Sequence, residues 1–188
     1  MVRMVSFWGS IRLEVPKEVY AAYLTDGQEN EAIMTIYEKT QDMDNIKILL
    51  KKYIDYFKYK KHHLSDICIL TENHPDGIDL KLYLKNTFND NIKITDIYST
   101  DEKISRQKKL LFSYAPVRTE KKLLMSTIYS FKGWETKNVI IVIPNKAKDY
   151  LSKLNYLIYT AITRVKDNLV IINNNSHYHN FFNKFKDN

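Results

Sequence analysis

Three short runs of aliphatic residues constrain the fold of this chain more than any other feature of its sequence. The runs are nearly continuous in Val, Ile and Leu, and they lie at Asp66–Thr71, Asn138–Ile143 and Asn168–Ile172. A strand of this composition is covered on both faces. Helical patterns separate the runs, and strands that alternate with helices form a parallel sheet between helix layers through right-handed crossovers. The sequence therefore predicts a three-layer α/β fold with a mostly parallel sheet.

Shorter patterns complete the predicted order of elements. Two more strands are expected at Ile92–Tyr98 and Leu123–Ile128, and helices at Asp76–Phe88, Ser105–Tyr114, Lys148–Thr163 and His177–Lys186. Before residue 65, Phe7–Val15 resembles a strand, and apolar spacings of three and four over Lys17–Lys61 predict two or three helices. We therefore predict a strand and helical extension over residues 1–64 and the α/β domain over residues 65–188.

Composition excludes several classes of protein. The longest purely apolar run, Val139–Ile143, has about five residues, whereas a bilayer crossing needs roughly 20. The N-terminus shows no signal-peptide pattern, and the single cysteine, Cys68, excludes an intramolecular disulfide framework and fits a reducing, cytoplasmic setting. The formal net charge of +7 over 188 residues suggests a polyanionic partner.

Familiar catalytic patterns are missing from the sequence. Neither GxxxxGK[ST] nor GxGxxG occurs among its 4 glycines, so the sequence does not encode a P-loop nucleoside triphosphatase that acts alone. The 5 histidines show no zinc-ligand spacing, so no metal site is expected. No Ser–His–Asp or paired-carboxylate arrangement stands out either.

Polar residues that could bind a ligand are concentrated in two segments. In the first, Ser126–Glu135, hydroxyls and a Lys132-Gly133 pair follow a strand, which suits phosphate contacts, although an ordinary polar loop would look the same. In the second, an apolar helix ends at Thr163-Arg164; the arginine could reach a phosphate or simply stabilise the helix C-terminus. Since α/β sheets bind ligands at the carboxyl ends of strands, we expect the site at Thr71–Asp76, Ser126–Glu135 and Thr163–Asn168.

Together, the two segments resemble motifs V and VI of the superfamily 1 helicases of the UvrD/Rep type. Thr127-Ile-Tyr-Ser-Phe-Lys-Gly-Trp-Glu-Thr is similar to T-x-H-x-x-K-G-L-E-F, and Tyr159-Thr-Ala-Ile-Thr-Arg-Val-Lys-Asp-Asn-Leu to Y-V-A-x-T-R-A-K-x-x-L. Asp66–Thr71 resembles the D-I-A-I-L-x-R strand upstream of motif V. The resemblance covers about Lys47 to Asn173, and it implies the second RecA-like domain of such a helicase, called 2A.

The resemblance implies a role in ATP hydrolysis. Arg164 falls on the motif VI arginine finger, a residue worth roughly 10³–10⁵ in rate. Glu135 falls on the motif V glutamate near the ribose, with Lys132 and Gly133 beside the phosphates. ATP and Mg²⁺ are then bound mainly by the first RecA-like domain of the same helicase, and this chain alone binds neither.

DNA contact is the second implied role. Thr127 and Ser130 fall where the family grips the DNA backbone, Tyr129 replaces the usual histidine, and Thr163 lies in motif VI. The expected partners are single-stranded or partly duplex DNA and the N-terminal RecA-like domain, with no membrane; a role in DNA repair is one expectation, and RNA as substrate stays open. Trp134 and Thr136 depart from the usual leucine and phenylalanine, so local packing there can differ.

Two departures keep a second hypothesis open. The sequence contains neither the first RecA-like domain nor a motif IV arginine. The alternative is a degenerate, non-enzymatic helicase relative that binds nucleic acid or protein. Two basic stretches bear on it: Lys51–His63 is best interpreted as an amphipathic helix with its lysines in solvent, whereas Arg106–Lys122 fits a nucleic-acid contact and a solvated helix equally well.

Overall fold

In the described part of the chain, six parallel strands form one sheet: β1 Met34–Lys39, β2 Ile67–Thr71, β3 Lys93–Asp96, β4 Lys122–Thr127, β5 Thr136–Ile143 and β6 Val165–Asn173. Their order is β1-β6-β5-β2-β4-β3, and every neighbouring pair is parallel. The structure is a computed structural model, which describes residues 34–40, 42–89, 91–113, 122–145 and 151–178. The predicted strand Phe7–Val15 and the predicted helix His177–Lys186 beyond Tyr178 lie outside these residues.

Four helices connect the strands within the described residues, and they are α1 Met43–Tyr59, α2 His74–Thr87, α3 Glu102–Ser113 and α4 Leu151–Ile162. Side chains cap three of them: Asp42, Asn73 and Asp101 accept hydrogen bonds from the backbone N–H groups of Asn45, Asp76 and Ile104. The predicted α/β class and parallel sheet are confirmed.

The three aliphatic runs form the centre of the sheet. All five residues of β2 are buried, as are Asn138–Ile143 of β5 and Leu169–Asn173 of β6. These strands are neighbours in the order β6-β5-β2, so helices or strands cover them on all sides. Continuous burial therefore explains why their composition does not alternate.

The N-terminal part of the described chain differs from its prediction. Met34–Lys39 lies within the stretch predicted to be helical, but it is a strand that pairs with β6 from Met34↔Asn168 to Lys39↔Asn173. The helical prediction is wrong here because the backbone of β6 offers a free edge, and Thr35, Ile36 and Tyr37 have high strand propensity.

α1 supports the amphipathic interpretation of Lys51–His63, since Tyr53, Ile54 and Phe57 are buried whereas Lys52, Lys58 and Lys60 are exposed. The division of the chain after residue 64 stays a prediction. On the extension's side of that division, β1 pairs with β6 and α1 packs into the core of the same sheet.

The sheet has two edges that matter for the site. Ser126 and Thr127 end β4 at the carboxyl edge, whereas Thr136 and Val165 begin β5 and β6 at the amino edge. Segment 128–135 therefore runs from the carboxyl edge to the amino edge. The expectation that Thr163–Asn168 lies at carboxyl ends is wrong, because α4 returns from the end of β5 and leads directly into the start of β6.

Candidate functional site

A tight turn follows β4 and is anchored at several points. The backbone N–H of Ile128 donates to the carbonyl of Thr71 over 2.9 Å, and that of Phe131 donates to the carbonyl of Thr127 over 3.1 Å. The side chains of Ile128 and Phe131 are buried. Tyr129, between them, is 71% exposed. The turn therefore holds its backbone against the sheet and presents one aromatic ring to solvent.

The other residues predicted to contact DNA from this turn are less accessible. Thr127 is buried, and its Oγ1 accepts a hydrogen bond from the backbone N–H of Ser130 over 3.2 Å. Ser130 is half-buried. Thr163 lies at the opposite edge of the sheet, where its hydroxyl donates to the carbonyl of Thr160 over 3.0 Å. The structure thus brings Thr127, Tyr129 and Ser130 together and separates Thr163 from them.

A buried tyrosine that sequence reasoning missed fixes the carboxyl edge. The hydroxyl of Tyr98 donates to the carbonyl of Ser126 over 2.8 Å and accepts from Thr71 Oγ1 over 3.1 Å, so it joins the ends of β4 and β2. Complete burial raises the pKa of this hydroxyl well above its usual value. Gly77 of α2 lies against the ring, and a Cβ there would be 2.3 Å from two ring carbons. Tyr98 therefore supports the strand end from which Tyr129 projects.

The second half of segment 128–135 is more open. Lys132 and Gly133 are exposed, and Gly133 has φ of +93°, a conformation that a side chain would strain. Trp134 then packs, partly buried, against the core. The substitution of Leu by Trp is thereby accommodated in the core, and the chain reaches the amino edge at Glu135.

Glu135 and Arg164 lie beside each other at that edge. Each immediately precedes a strand, and the backbone N–H of Thr136 donates to the carbonyl of Arg164 over 3.1 Å. Lys166 Nζ lies 3.0 Å from the Glu135 carboxylate, with both side chains about half exposed. Arg164 makes no ion pair with any described residue, and its buried Nε has no hydrogen-bond partner among them. Its guanidinium is thus not neutralised by the described part of its own domain.

A bulge and a buried amide shape the amino edge around these residues. Thr136 pairs with Val165 but Asn138 pairs with Asn168, so β6 contains one extra residue here, and bulges of this kind re-aim nearby side chains. Asn138 is completely buried; its Oδ1 accepts from Asn168 Nδ2 over 2.6 Å, and its Nδ2 donates to the carbonyl of Asp66 over 3.2 Å. The two asparagines lock the starts of β5 and β6 together. Their signal in the sequence is that both aliphatic runs begin with Asn.

The described residues hold no group of three or more His, Cys, Asp and Glu that could bind a metal ion. Of the residues predicted for the nucleotide site, two are cations suited to a phosphate: the exposed Lys132, and Arg164, which has no ion pair among the described residues. Glu135 follows Lys132 by three residues and lies beside Arg164 at the amino edge, and its carboxylate can accept hydrogen bonds from hydroxyl groups.

The family model of the UvrD-like helicase C-terminal domain matches residues 122–172. The resemblance to UvrD-type helicases is confirmed. The match begins at the first residue of β4 and ends within β6, so it contains both the turn with Tyr129 and the pair Glu135 and Arg164. All eight site residues predicted from the sequence lie inside it; their roles stay predictions.

Two solved structures share the fold at low sequence identity. The C-terminal domain of a possible DNA helicase from Lactobacillus plantarum WCFS1 has 12% identity and a TM-score of 0.52, over 82% of this chain and 81% of that one. Domain 2 of the DEAD-box helicase Mss116p, bound to an RNA duplex, has 12% identity and a TM-score of 0.50, over 77% of this chain and 55% of that one. No curated protein matches the chain significantly. None of the helices in the described ranges combines the length and apolar composition that a bilayer crossing demands.

Proposed function

We propose that this chain acts as the second RecA-like domain of an ATP-dependent DNA helicase. In this proposal Arg164 is the arginine finger, which neutralises charge that develops on the γ-phosphate during hydrolysis. A finger worth roughly 10³–10⁵ in rate lowers the barrier by about 4–7 kcal/mol. The observation that carries the proposal is that Arg164, free of ion pairs with described residues, lies beside Glu135 at one edge of the sheet.

Glu135, Lys132 and Gly133 complete this domain's share of the nucleotide site. The Glu135 carboxylate accepts a hydrogen bond from a ribose hydroxyl, and Lys132 and the backbone at Gly133 lie beside the phosphates. The ion pair between Glu135 and Lys166 does not oppose this role, since a half-exposed pair contributes only about 0–1 kcal/mol. ATP and Mg²⁺ are bound mainly by a first RecA-like domain, because this sequence has no phosphate loop.

The proposed substrate is single-stranded DNA, which Tyr129 and Ser130 contact at the carboxyl edge of the sheet. Thr127 supports them by holding the turn, since its hydroxyl accepts the Ser130 N–H. Thr163 acts at the amino edge with Arg164, so it does not contact the same stretch of DNA as Tyr129 and Ser130. Hydrolysis then opens and closes the cleft between the two RecA-like domains and moves the strand.

The test is ATP turnover by the 188-residue chain alone and by the complete helicase. We expect no turnover by the chain alone. In the complete enzyme, Arg164→Ala lowers kcat by about 10³-fold or more while nucleotide affinity changes little, because a finger acts in the transition state. Lys137→Gln is the matched control, since it removes a cation at the same edge without touching the site. Turnover by the chain alone, or equal losses in both variants, would refute the proposal.

The alternative, a non-enzymatic module that binds nucleic acid or protein, is favoured by the missing motif IV arginine. The gene distinguishes the two hypotheses: an in-frame upstream GxxxxGK[ST] segment favours the helicase. If the chain functions without such a segment, Arg164→Ala leaves its function intact and the alternative stands.

A further inference from the structure

Residues 102–110 of α3 cover the sheet poorly for a helix of an α/β domain. Over residues 102–110 no side chain is buried, and only Ser105 and Lys108 are even half-buried. Lys108 fixes the helix: its Nζ donates to the carbonyl of Tyr98 over 2.6 Å and lies 3.1 Å from Asp96 Oδ1. A helix that only covered the core would bury one face. Residues 102–110 of α3 therefore present most of their surface to solvent, and Lys108 ties them to Asp96 and Tyr98.

That surface is basic. Lys103, Arg106 and Lys109 are spaced by three residues, so they lie on neighbouring positions along one side of α3, and all three are exposed. Arg106 is 3.8 Å from Glu102, but both side chains are more than 80% exposed, so the pair is weak. Lys103 and Lys109 make no ion pair with any described residue. This side of α3 thus carries a net positive charge that complements a polyanion.

The basic side of α3 is continuous with Tyr129. Lys109 Nζ lies 5.9 Å from the centroid of the Tyr129 ring, although 20 residues separate the two in the chain. The ring is mostly exposed on a turn whose backbone is held by Thr71 and Thr127. An exposed ring on a rigid backbone beside a free cation is the combination that single-strand binders use, because bases stack on the ring and phosphates pair with the cation.

We propose that Tyr129 and the Lys103, Arg106 and Lys109 side of α3, which we call the α3 surface, bind single-stranded nucleic acid. An unpaired base stacks on Tyr129, and consecutive phosphates pair with Lys109 and Arg106. The proposal rests on the proposed function and extends it, because α3 lies outside the segments that resemble motifs V and VI. A duplex conceals the faces of its bases, so the α3 surface selects single strands.

The experiment measures binding of the 188-residue chain to fluorescein-labelled oligo(dT) of about 20 nucleotides, longer than the roughly 4–16 nucleotides that one single-strand-binding fold occupies. Fluorescence anisotropy is recorded over a range of salt concentrations, with a duplex of the same length for comparison. Circular dichroism and a thermal melt establish that each variant is folded. We expect the single strand to bind more tightly than the duplex.

Aromatic variants test stacking. Tyr129→Leu weakens binding by about 5-fold to 150-fold, the equivalent of losing one stacked base. Tyr129→Phe keeps the ring and changes the affinity little. Tyr156→Leu is the matched control, because Tyr156 is also exposed, at 55%, but lies on α4. Equal effects of Tyr129→Leu and Tyr156→Leu would overturn the stacking contact.

Charge variants test the phosphate contacts. Arg106→Gln and Lys109→Gln each reduce the slope of log K against log salt by about 0.7, the value for one phosphate on a single strand. Lys39→Gln removes the same charge at the end of β1, the opposite edge strand of the sheet, and leaves the slope unchanged. If Arg106→Gln, Lys109→Gln and Lys39→Gln all gave the same slope, the phosphate contacts of α3 would be refuted.

The outcomes separate this proposal from the one before it. If the wild-type chain binds oligo(dT) and the variants of the α3 surface bind it with the same affinity, the role of the α3 surface is refuted. DNA contact elsewhere in the domain then still stands. If wild type does not bind oligo(dT), both the surface and the DNA contact of the proposed function are refuted. The role of Arg164 in hydrolysis is independent of both results.

Discussion

Gly77→Ala is expected to destabilise the domain, although alanine is the better helix former. Gly77 lies inside α2, where an exposed Gly-to-Ala change stabilises by about 1 kcal/mol. Here the new Cβ would lie 2.3 Å from Cε1 and Cζ of Tyr98 and 2.6 Å from Cδ1. Real Cβ atoms do not approach a ring so closely, so either the helix or the ring has to move.

The ring resists movement, which sets the magnitude. Tyr98 is fully buried and its hydroxyl makes two hydrogen bonds, to Ser126 and Thr71. Overpacking costs about 1–3 kcal/mol, and the two hydrogen bonds are worth about 1 kcal/mol each. After subtraction of the helix gain of about 1 kcal/mol, the free energy of unfolding falls by about 2–4 kcal/mol.

Urea unfolding monitored by circular dichroism measures this loss as a lower midpoint at unchanged m. Asn86→Ala, at an exposed position of the same helix, is the control and changes stability by less than about 0.5 kcal/mol. The double variant isolates the contact: with Tyr98→Ala the space is open, so adding Gly77→Ala should then stabilise. A stabilising effect of Gly77→Ala in the wild-type background would refute the packing argument.

Three further outcomes are expected in the same unfolding assay. Asn138→Leu leaves the Asn168 amide without its partner and removes one of the two hydrogen bonds that the Asp66 carbonyl accepts, the other being from the Thr136 hydroxyl. The free energy of unfolding falls by about 1–3 kcal/mol, whereas the exposed neighbour change Lys137→Gln has little effect. Tyr98 keeps its proton to a higher pH when folded than when unfolded, so its contribution to stability is fully present below about pH 10 and is lost as pH rises above it; Tyr98→Phe makes this loss shallower. Asp96→Asn weakens contacts with two lysines and costs about 1–3 kcal/mol, whereas Glu102→Gln costs almost nothing.

The centre of the fold could be predicted from the sequence because its physical cause is local. β2, β5 and β6 are buried on both faces, and each leaves a continuous aliphatic run in the sequence. β1 could not be predicted in this way. Among the described residues it is an edge strand with β6 as its one partner, and it ends in Glu38 and Lys39, so its identity depends on a partner more than 100 residues away.

The sequence located the segments of the candidate site but not their layout. The sequence indicated two segments in which polar residues are concentrated, and the resemblance of these segments to motifs V and VI indicated a family. It did not indicate that Tyr129 and Arg164 lie at opposite edges of the sheet, since this depends on α4 entering β6 directly. The supporting contacts of Tyr98 with Ser126 and of Asn138 with Asp66 join residues 28 and 72 positions apart, beyond any local pattern.

Segment 128–135 has a mechanical consequence for a motor domain. Eight residues span the sheet from one edge to the other, and they are pinned at Ile128, at Phe131 and, beyond the last of them, at Thr136. A long slack connection would absorb displacement, but a short pinned one conveys it. In the proposed helicase, a displacement of the backbone at the amino edge, where the nucleotide binds, is therefore transmitted through this segment to the carboxyl edge, where DNA binds. ATP hydrolysis and DNA movement are thus coupled through eight residues of the chain.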